Sequence, residues 1–408
     1  MLEGKNILLG VSGGIAAYKI ASLASALTKR GCAVQVVMTK AAEQFVAPVT
    51  FEALTHRRVF DDVFDRADPS VVRHIALAAE ADALVIAPAT ADVIAKIAHG
   101  IADDMLTSTV LPFTGCRIVV PAMNTHMLDN AATQENLATL RRRGWHVMEP
   151  AEGRLACGDT GRGKMPEPED ILDFIEHFAA CEKDLTGERV LVTAGPTREA
   201  LDPVRFLTNH STGRMGYAVA RAAAMRGAQV TLISGPVALK KPPFVDLVSV
   251  VSAQDMFDAV VSRFDRSTIV VKAAAVADYR PAAVSENKIK KQDADMSLPL
   301  ERTADILKYL GERRAGQFIC GFSMETENLL ENSRAKLAKK RVQMIAANSL
   351  KVAGAGFGGD TNVLTLITAD AETELPLMSK DEAAHRLLDE ILRRRGETKP
   401  TFERIKGR

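Results

Sequence analysis

Along this 408-residue chain, short continuously apolar runs alternate with stretches of helical spacing. Asn6–Val11 is the first such run, and it ends in Ser12-Gly13-Gly14. Behind it, Ile20, Leu23, Ala24 and Leu27 occupy the i, i+3, i+4, i+7 positions of one buried helix face. Arg30-Gly31 gives a C-terminal stop signal, and Val34–Met38 is the next strand. Ala83–Ala87 and Arg117–Val120 are further β-rich runs, each closed by proline and small residues. The rhythm restarts at Val190–Thr193, followed by a helix over Tyr217–Arg226 that stops at Gly227. Strands are then predicted at Val230–Ser234, Ile269–Ala275, Phe318–Gly321, Met344–Ala347 and Val363–Thr368. Strands apolar on both faces with helices between them predict an α/β fold, with mainly parallel sheets covered on both sides in three layers.

The length suits two domains of roughly 200 residues each. The charged stretch Cys181–Glu188 is the expected connector, giving domains of residues 1–189 and 190–408. The tail from Gly396 is expected to fray. Apolar residues make up 47%, charged residues 25%, and the net charge is +1, so neither nucleic acid nor membrane is indicated as a partner. Arg141–Arg143 and Arg393–Arg395 read as solvated helix faces. Cys32, Cys116, Cys157, Cys181 and Cys320 form no Cys-x-x-Cys pair, so a disulfide or zinc framework is not indicated and a reducing cytosol is expected. No signal peptide is expected at the N-terminus, and no apolar run is long enough to span a bilayer.

In open parallel sheets, ligands bind beyond the carboxyl ends of strands. Ser12-Gly13-Gly14 stands at such an end and can present backbone N–H groups to an anion, although a plain tight turn accounts for it nearly as well. The dinucleotide and P-loop glycine fingerprints are both missing. His74, which opens an apolar segment, is either a structural histidine or part of a site. Asn124 follows another strand end and serves either as a carboxylate ligand or as a loop cap. Cys157 lies among Arg154, Arg162 and Lys164, cations that favour a thiolate; a small buried hydrophobe is the bland alternative.

In the second half, Lys288, Lys290 and Lys291 lie in a hairpin-like stretch whose alternation puts Lys288 and Lys290 on one face. Lys336 and Lys340 are one helical turn apart and repel unless an anion joins them. A solvated basic face explains either cluster taken alone. Asp278, after a strand end, is a ligand for a magnesium-bridged triphosphate, an acceptor for a sugar, or a helix cap.

At these residues the chain closely resembles the flavin-dependent cysteine decarboxylases, specifically the phosphopantothenoylcysteine decarboxylase half of bifunctional coenzyme A biosynthesis proteins. The motifs are Ser12-Gly13-Gly14-Ile15-Ala16, His74, Ala87-Pro88-Ala89-Thr90, Gly100-Ile101-Ala102-Asp103, Pro121-Ala122-Met123-Asn124 and Ala156-Cys157-Gly158, in family order. From Val190 it resembles the phosphopantothenate–cysteine ligase half, through Thr193–Glu199, Asp202–Phe206, Thr208–Gly213, Ala273–Tyr279 and Lys288–Lys291. Leu128, Lys164, Thr212 and Arg214 depart from the residues usual in the family.

The resemblance implies a flavodoxin-like flavin domain followed by a Rossmann-like ligase domain. It implies FMN held by Ser12, Gly13, Gly14, Ile15, Thr39, Ala89 and Thr90, with the flavin creating an electron sink at the substrate sulfur. His74 would act in the oxidative step, Asn124 would hold the substrate carboxylate, and Cys157 would donate the final proton. For the ligase it implies CTP at Asp278, Ala304, Asp305, Ile306, Leu307, Phe322, Lys336 and Lys340, with Mg2+ at Asp278. CTP would activate 4'-phosphopantothenate as an acyl-cytidylate, aided by Lys288, and cysteine would then attack in a step needing Asn209. The product would be decarboxylated to 4'-phosphopantetheine. The resemblance also implies a cytoplasmic homo-oligomer, trimeric through the flavin domains and dimeric through the ligase domains. The competing classes are a non-catalytic flavin-binding regulatory protein and a nicotinamide-dependent oxidoreductase; the missing fingerprint disfavours the second.

Overall fold

The computed structural model describes residues 2–64, 72–156, 158–291, 296–325, 328–349 and 359–396. Two compact units emerge, Met1–Cys181 and Glu182–Arg408. The division lies ahead of the expected 189/190 boundary because Asp184 and Leu185 pack into the second unit. Leu185 is fully buried in its core, and Asp184 pairs at 2.6 Å with Arg226, whose side chain is only 1% exposed. The expected frayed tail, residues 397–408, lies outside the described residues.

The first unit is built on β1 (Asn6–Val11), β2 (Ala33–Met38), β3 (Ala83–Ala89), β4 (Cys116–Pro121) and β5 (His146–Val147), all parallel, in the order β2-β1-β3-β4-β5. This is the flavodoxin-like order, with its switch point between β1 and β3. Every residue of β3 is buried, as a central parallel strand requires. Nine helices surround or flank the sheet: α1 (Ala17–Lys29), α2 (Lys40–Glu43), α3 (Pro48–Thr55), α4 (Arg73–Glu80), α5 (Ala91–His99), α6 (Met105–Val110), α7 (Thr125–Asp129), α8 (Ala131–Arg142) and α9 (Pro168–Ala179) among the described residues. The face of α1 foreseen from its periodicity is the buried one, each large apolar side chain contributing about 1.5–3 kcal/mol. An antiparallel hairpin, β6 (Ala151–Arg154) and β7 (Thr160–Lys164), stands apart from the sheet.

The second unit carries an eight-stranded sheet. Its parallel part comprises β8 (Arg189–Ala194), β11 (Gln229–Ser234), β12 (Val245–Ser249), β13 (Ile269–Lys272), β16 (Phe318–Glu325) and β17 (Met344–Ser349); β18 (Thr361–Ile367) and β19 (Glu372–Ser379) add antiparallel at one edge. The order β12-β11-β8-β13-β16-β17 is Rossmann-like, reversing between β8 and β13. Two small ladders pair β9 (Arg198–Ala200) with β10 (Phe206–Thr208), and β14 (Tyr279–Pro281) with β15 (Leu300–Arg302). The helices are α10 (Arg214–Met225), α11 (Ala253–Phe264), α12 (Ile306–Arg313), α13 (Leu329–Lys340) and α14 (Lys380–Arg394).

Two local expectations change. The strand expected over Ile269–Ala275 ends at Lys272, because the N–H groups of Ala273 and Ala274 turn to the carbonyl and hydroxyl of Thr193. The expected hairpin around Lys288 pairs with no strand among the described residues; Ile289 is instead clasped through both its N–H and its carbonyl by side chains of the β9–β10 turn.

Candidate active sites

In the first unit a cavity of about 640 Å³ opens at the β1/β3 switch point, between the segments that follow those two strands. Gly13, Gly14, Ile15, Thr90 and Asn124 line it. The N-termini of α1 and α5 both border it, offering two positive helix ends to one anion. Thr90 caps α5 by accepting from Val93 N–H at 3.4 Å. Gly13 is needed for packing: a Cβ there would lie 2.3 Å from Ala41 Cβ.

Three expected cofactor residues lie beneath the wall instead of in it. Ser12 is fully buried, and its hydroxyl donates to the Pro88 carbonyl at 2.7 Å while accepting from Thr90 N–H at 3.0 Å. It therefore clasps the loops after β1 and β3 together. Thr39 spends its side chain capping α2, and Ala89 is buried at the end of β3. His74 sits in the first turn of α4 and does not border this cavity. Cys157 lies outside the described residues; Arg154, Leu155 and Ala156, which precede it in the chain, line the wall.

That hairpin is tied to the segment carrying Asn124. Met123 N–H donates to the Gly163 carbonyl at 3.0 Å, and Thr125 Oγ1 donates to the Arg162 carbonyl at 2.7 Å. Asn124 caps α7 by accepting from His126 N–H at 2.8 Å, so the cap reading holds at a residue that also lines the cavity. Its Nδ2 reaches Asp159 at 3.4 Å. Gly163 has φ +126°, and a Cβ there would stand 2.2 Å from the Met123 carbonyl oxygen. Gly163→Ala is thus expected to unseat the hairpin at a cost of about 2–5 kcal/mol, from backbone strain and overpacking together. Thermal unfolding and the retention of bound flavin would measure it.

The cations foreseen near the thiol are partly committed elsewhere. Lys164 and Lys19 both pair with Glu167, at 3.2 and 2.8 Å, and Lys19 above all holds that carboxyl below its usual range. Arg162 pairs with Asp129 at 3.2 Å, whereas Arg154 makes no ion pair among the described residues. Sequence reasoning missed Lys19, Tyr18, Met127 and Met165 on the wall. The exposure of Ile15 and Tyr18, 57% and 59%, is visible only in the fold.

In the second unit a cavity of about 450 Å³ opens at the β8/β13 switch point. Asn209, Asp278, Phe322 and Lys336 line it. Asn209 Nδ2 donates to the Ala275 carbonyl at 3.0 Å, which fixes its amide plane. Lys336 Nζ donates to the Phe322 carbonyl at 3.1 Å. Asp278 precedes β14 and caps no helix, so that alternative falls.

The other expected nucleotide residues do not reach this wall. Ile306 and Leu307 are 1% and 4% exposed in the apolar core, whereas Ala304 is exposed and off the wall. Asp305 caps α12 and pairs with Lys340; burial is outweighed by that ammonium, and the carboxyl stays below its usual range. Lys340 therefore already has its counter-charge. Lys288 is off the wall, on the segment held at Ile289. Sequence reasoning missed Lys272, Asn348, Asn362 and Lys380. Only Lys272 left a signal, as a cation ending an apolar strand; the others converge from strands and a helix far apart in the chain. The Asn348 Oδ1 atom is buried without a partner among the described residues, which marks the wall as shaped for a polar ligand. Burial, and then Arg214, depress the Lys380 ammonium.

A family model described as Flavoprotein matches residues 1–180, and one described as DNA/pantothenate metabolism flavoprotein C-terminal domain matches residues 185–394. The chain is 50% identical over 395 residues to the coenzyme A biosynthesis bifunctional protein CoaBC of Bacillus subtilis (strain 168), covering 96% of this chain and 97% of that one. It is 43% identical over 398 residues to the protein of that name from Escherichia coli (strain K12), covering 96% and 98%. A crystal structure of the C-terminal domain of a CoaBC protein is 43% identical, covers 53% of this chain and all of that one, and superposes with a TM-score of 0.46. With both units matched in order and the relatives spanned almost end to end, the chain belongs to the family of bifunctional coenzyme A biosynthesis proteins.

Proposed function

We propose that the second unit joins cysteine to 4'-phosphopantothenate at the expense of CTP, and that the first unit decarboxylates the product to 4'-phosphopantetheine with FMN. The observation that carries this reading is a cavity at the switch point of each sheet, each walled by residues of one half's motifs. The first wall suits FMN: two helix N-termini suit a phosphate, and Ile15, Tyr18, Met127 and Met165 suit an apolar ring. Gly13, Gly14, Ile15 and Thr90 would hold it. When bound, FMN supplies the two-electron chemistry that makes loss of CO2 from a cysteinyl carboxylate feasible.

The chain's own groups do the rest. Asn124, oriented by His126 N–H and Asp159, holds the carboxylate until it leaves. Cys157, which follows the wall residue Ala156 in the chain, delivers a proton to the substrate carbon. The reading needs His74 from a neighbouring copy, since it is absent from its own chain's cavity wall; this favours the trimeric flavin domain, with the ligase domain as the dimer contact.

In the ligase site, Lys336 offsets charge developing on the triphosphate as pyrophosphate leaves, and Lys288 would join it by movement of the segment held at Ile289. Asn209, pinned on Ala275, positions the acyl group for attack by the cysteine amine. Mg2+ would enter bridged by phosphates, with Asp278 as the carboxylate on the wall; such sites need only one or two protein carboxylates. A cytoplasmic setting accords with Cys32 and Cys320 standing as buried thiols. No described helix is long and apolar enough to cross a membrane.

The test is one incubation of the purified protein with 4'-phosphopantothenate, cysteine, CTP and Mg2+. Phosphopantetheine, CO2, CMP and pyrophosphate are expected together. Pyrophosphate without CO2 would refute the decarboxylase half; no pyrophosphate would refute the ligase half, and supplying phosphopantothenoylcysteine directly would then test the decarboxylase by itself.

A further inference from the structure

Lys272 has no place in the assignments above. It ends β13 in register with Thr193 of β8 and Gly321 of β16, at the carboxyl edge of the sheet where the strand order reverses. Its side chain is partly buried, lines the second cavity, and makes no hydrogen bond or ion pair among the described residues. The charged groups facing it are Lys336 and Lys340 from α13, Asp305 from the start of α12, and Asp278 from the loop after β13. Asp305 is engaged by Lys340. With Asp305 committed to Lys340, no described carboxylate forms an ion pair with Lys272. A partly buried ammonium without an ion-pair partner is unfavourable, and groups in that condition cluster at functional sites.

We propose that Lys272 grips a phosphate oxygen of the nucleoside triphosphate, a binding role distinct from those of Lys288 and Lys336. The inference rests on reading this cavity as the CTP site. The N-terminus of the 12-residue helix α10, from Gly213 to Gly216, lines the same cavity and also offers positive potential to an anion. Burial, and then Lys336, lower the Lys272 ammonium to about 8. Since the charged form is the one that binds, affinity is full below that value and falls as pH rises through it.

The experiment measures binding of CTP and of cytidine to the full-length protein by calorimetry between pH 7 and 9.5, together with pyrophosphate release. Lys272→Met should weaken CTP about ten- to a hundredfold, the range for losing a hydrogen bond to a charged group, and leave cytidine affinity close to unchanged. Lys272→Arg should retain CTP binding at pH 7 and flatten the alkaline decline. Unchanged CTP affinity in Lys272→Met overturns the proposal. So does an equal loss of CTP and cytidine, or an alkaline decline that persists in Lys272→Arg. If the wild-type protein neither binds CTP nor releases pyrophosphate, the ligase reading itself falls, an outcome separate from those three.

Discussion

Lys288→Gln is expected to stop pyrophosphate release, lowering it by at least about 10²–10³-fold, the scale for removing one charge-stabilising group from a preorganised site. Asn209→Asp, by contrast, should still release pyrophosphate and let the acyl-cytidylate build up. Rapid quench with labelled CTP separates the two, and an Asn209 variant that forms no intermediate would count against this division. The structure gives both residues a common mount. The buried Asp202 carboxylate accepts from Val204 N–H and Arg205 N–H, both at 2.8 Å, and from Ile289 N–H at 3.1 Å. Arg205 returns a bond to the Ile289 carbonyl at 2.7 Å, and above all it is Arg205 that holds Asp202 well below the usual carboxylate range. One turn thereby anchors the residue after Lys288, while β10 of the same hairpin ends immediately before Asn209. The two residues proposed for the half-reactions thus have backbones tied to one hairpin.

Cys157→Ser is expected to go on releasing CO2 while its yield of phosphopantetheine falls about 10²–10⁴-fold, the usual weight of one general acid. In its place an enethiol two hydrogens lighter should accumulate, visible by mass spectrometry. A hydroxyl is a far weaker acid than a thiol, so protonation at carbon fails even though the carboxylate is still held. The hairpin contacts make this separation reasonable: Met123 and Thr125 anchor β7 whatever side chain stands at position 157. Normal phosphopantetheine from this variant would refute the acid role.

Much of this was readable locally. A strand of a parallel sheet is buried on both faces, so β1, β3 and β8 announce themselves as largely apolar runs. The ends of β1 and β8 locate the turns at Gly13–Gly14 and Gly195–Pro196. The hairpin β6–β7 was not legible, because Gly-rich, exposed strands carry no apolar alternation. Ser12 shows the limit in one residue. A serine before two glycines suggests an anion ligand, yet its hydroxyl is consumed by Pro88 and Thr90, 76 and 78 residues away. Ile306 and Leu307 show it again, since apolar side chains beside a ligand position are claimed by the core.

Periodicity, composition and motif order, being properties of neighbours along the chain, determined two α/β units, their approximate borders and the chemistry each can carry. Tertiary structure alone decided which groups meet. Strand order places the turns after β1 and β3 together, and those after β8 and β13 together, bringing Thr90 to Gly14 and the lone ammonium of Lys272 to the helix end at Gly213. The physical reason is that hydrogen-bonding partners in a parallel sheet come from distant segments. A side chain's surroundings, and so its charge state and availability, are therefore set by residues its own neighbourhood never names.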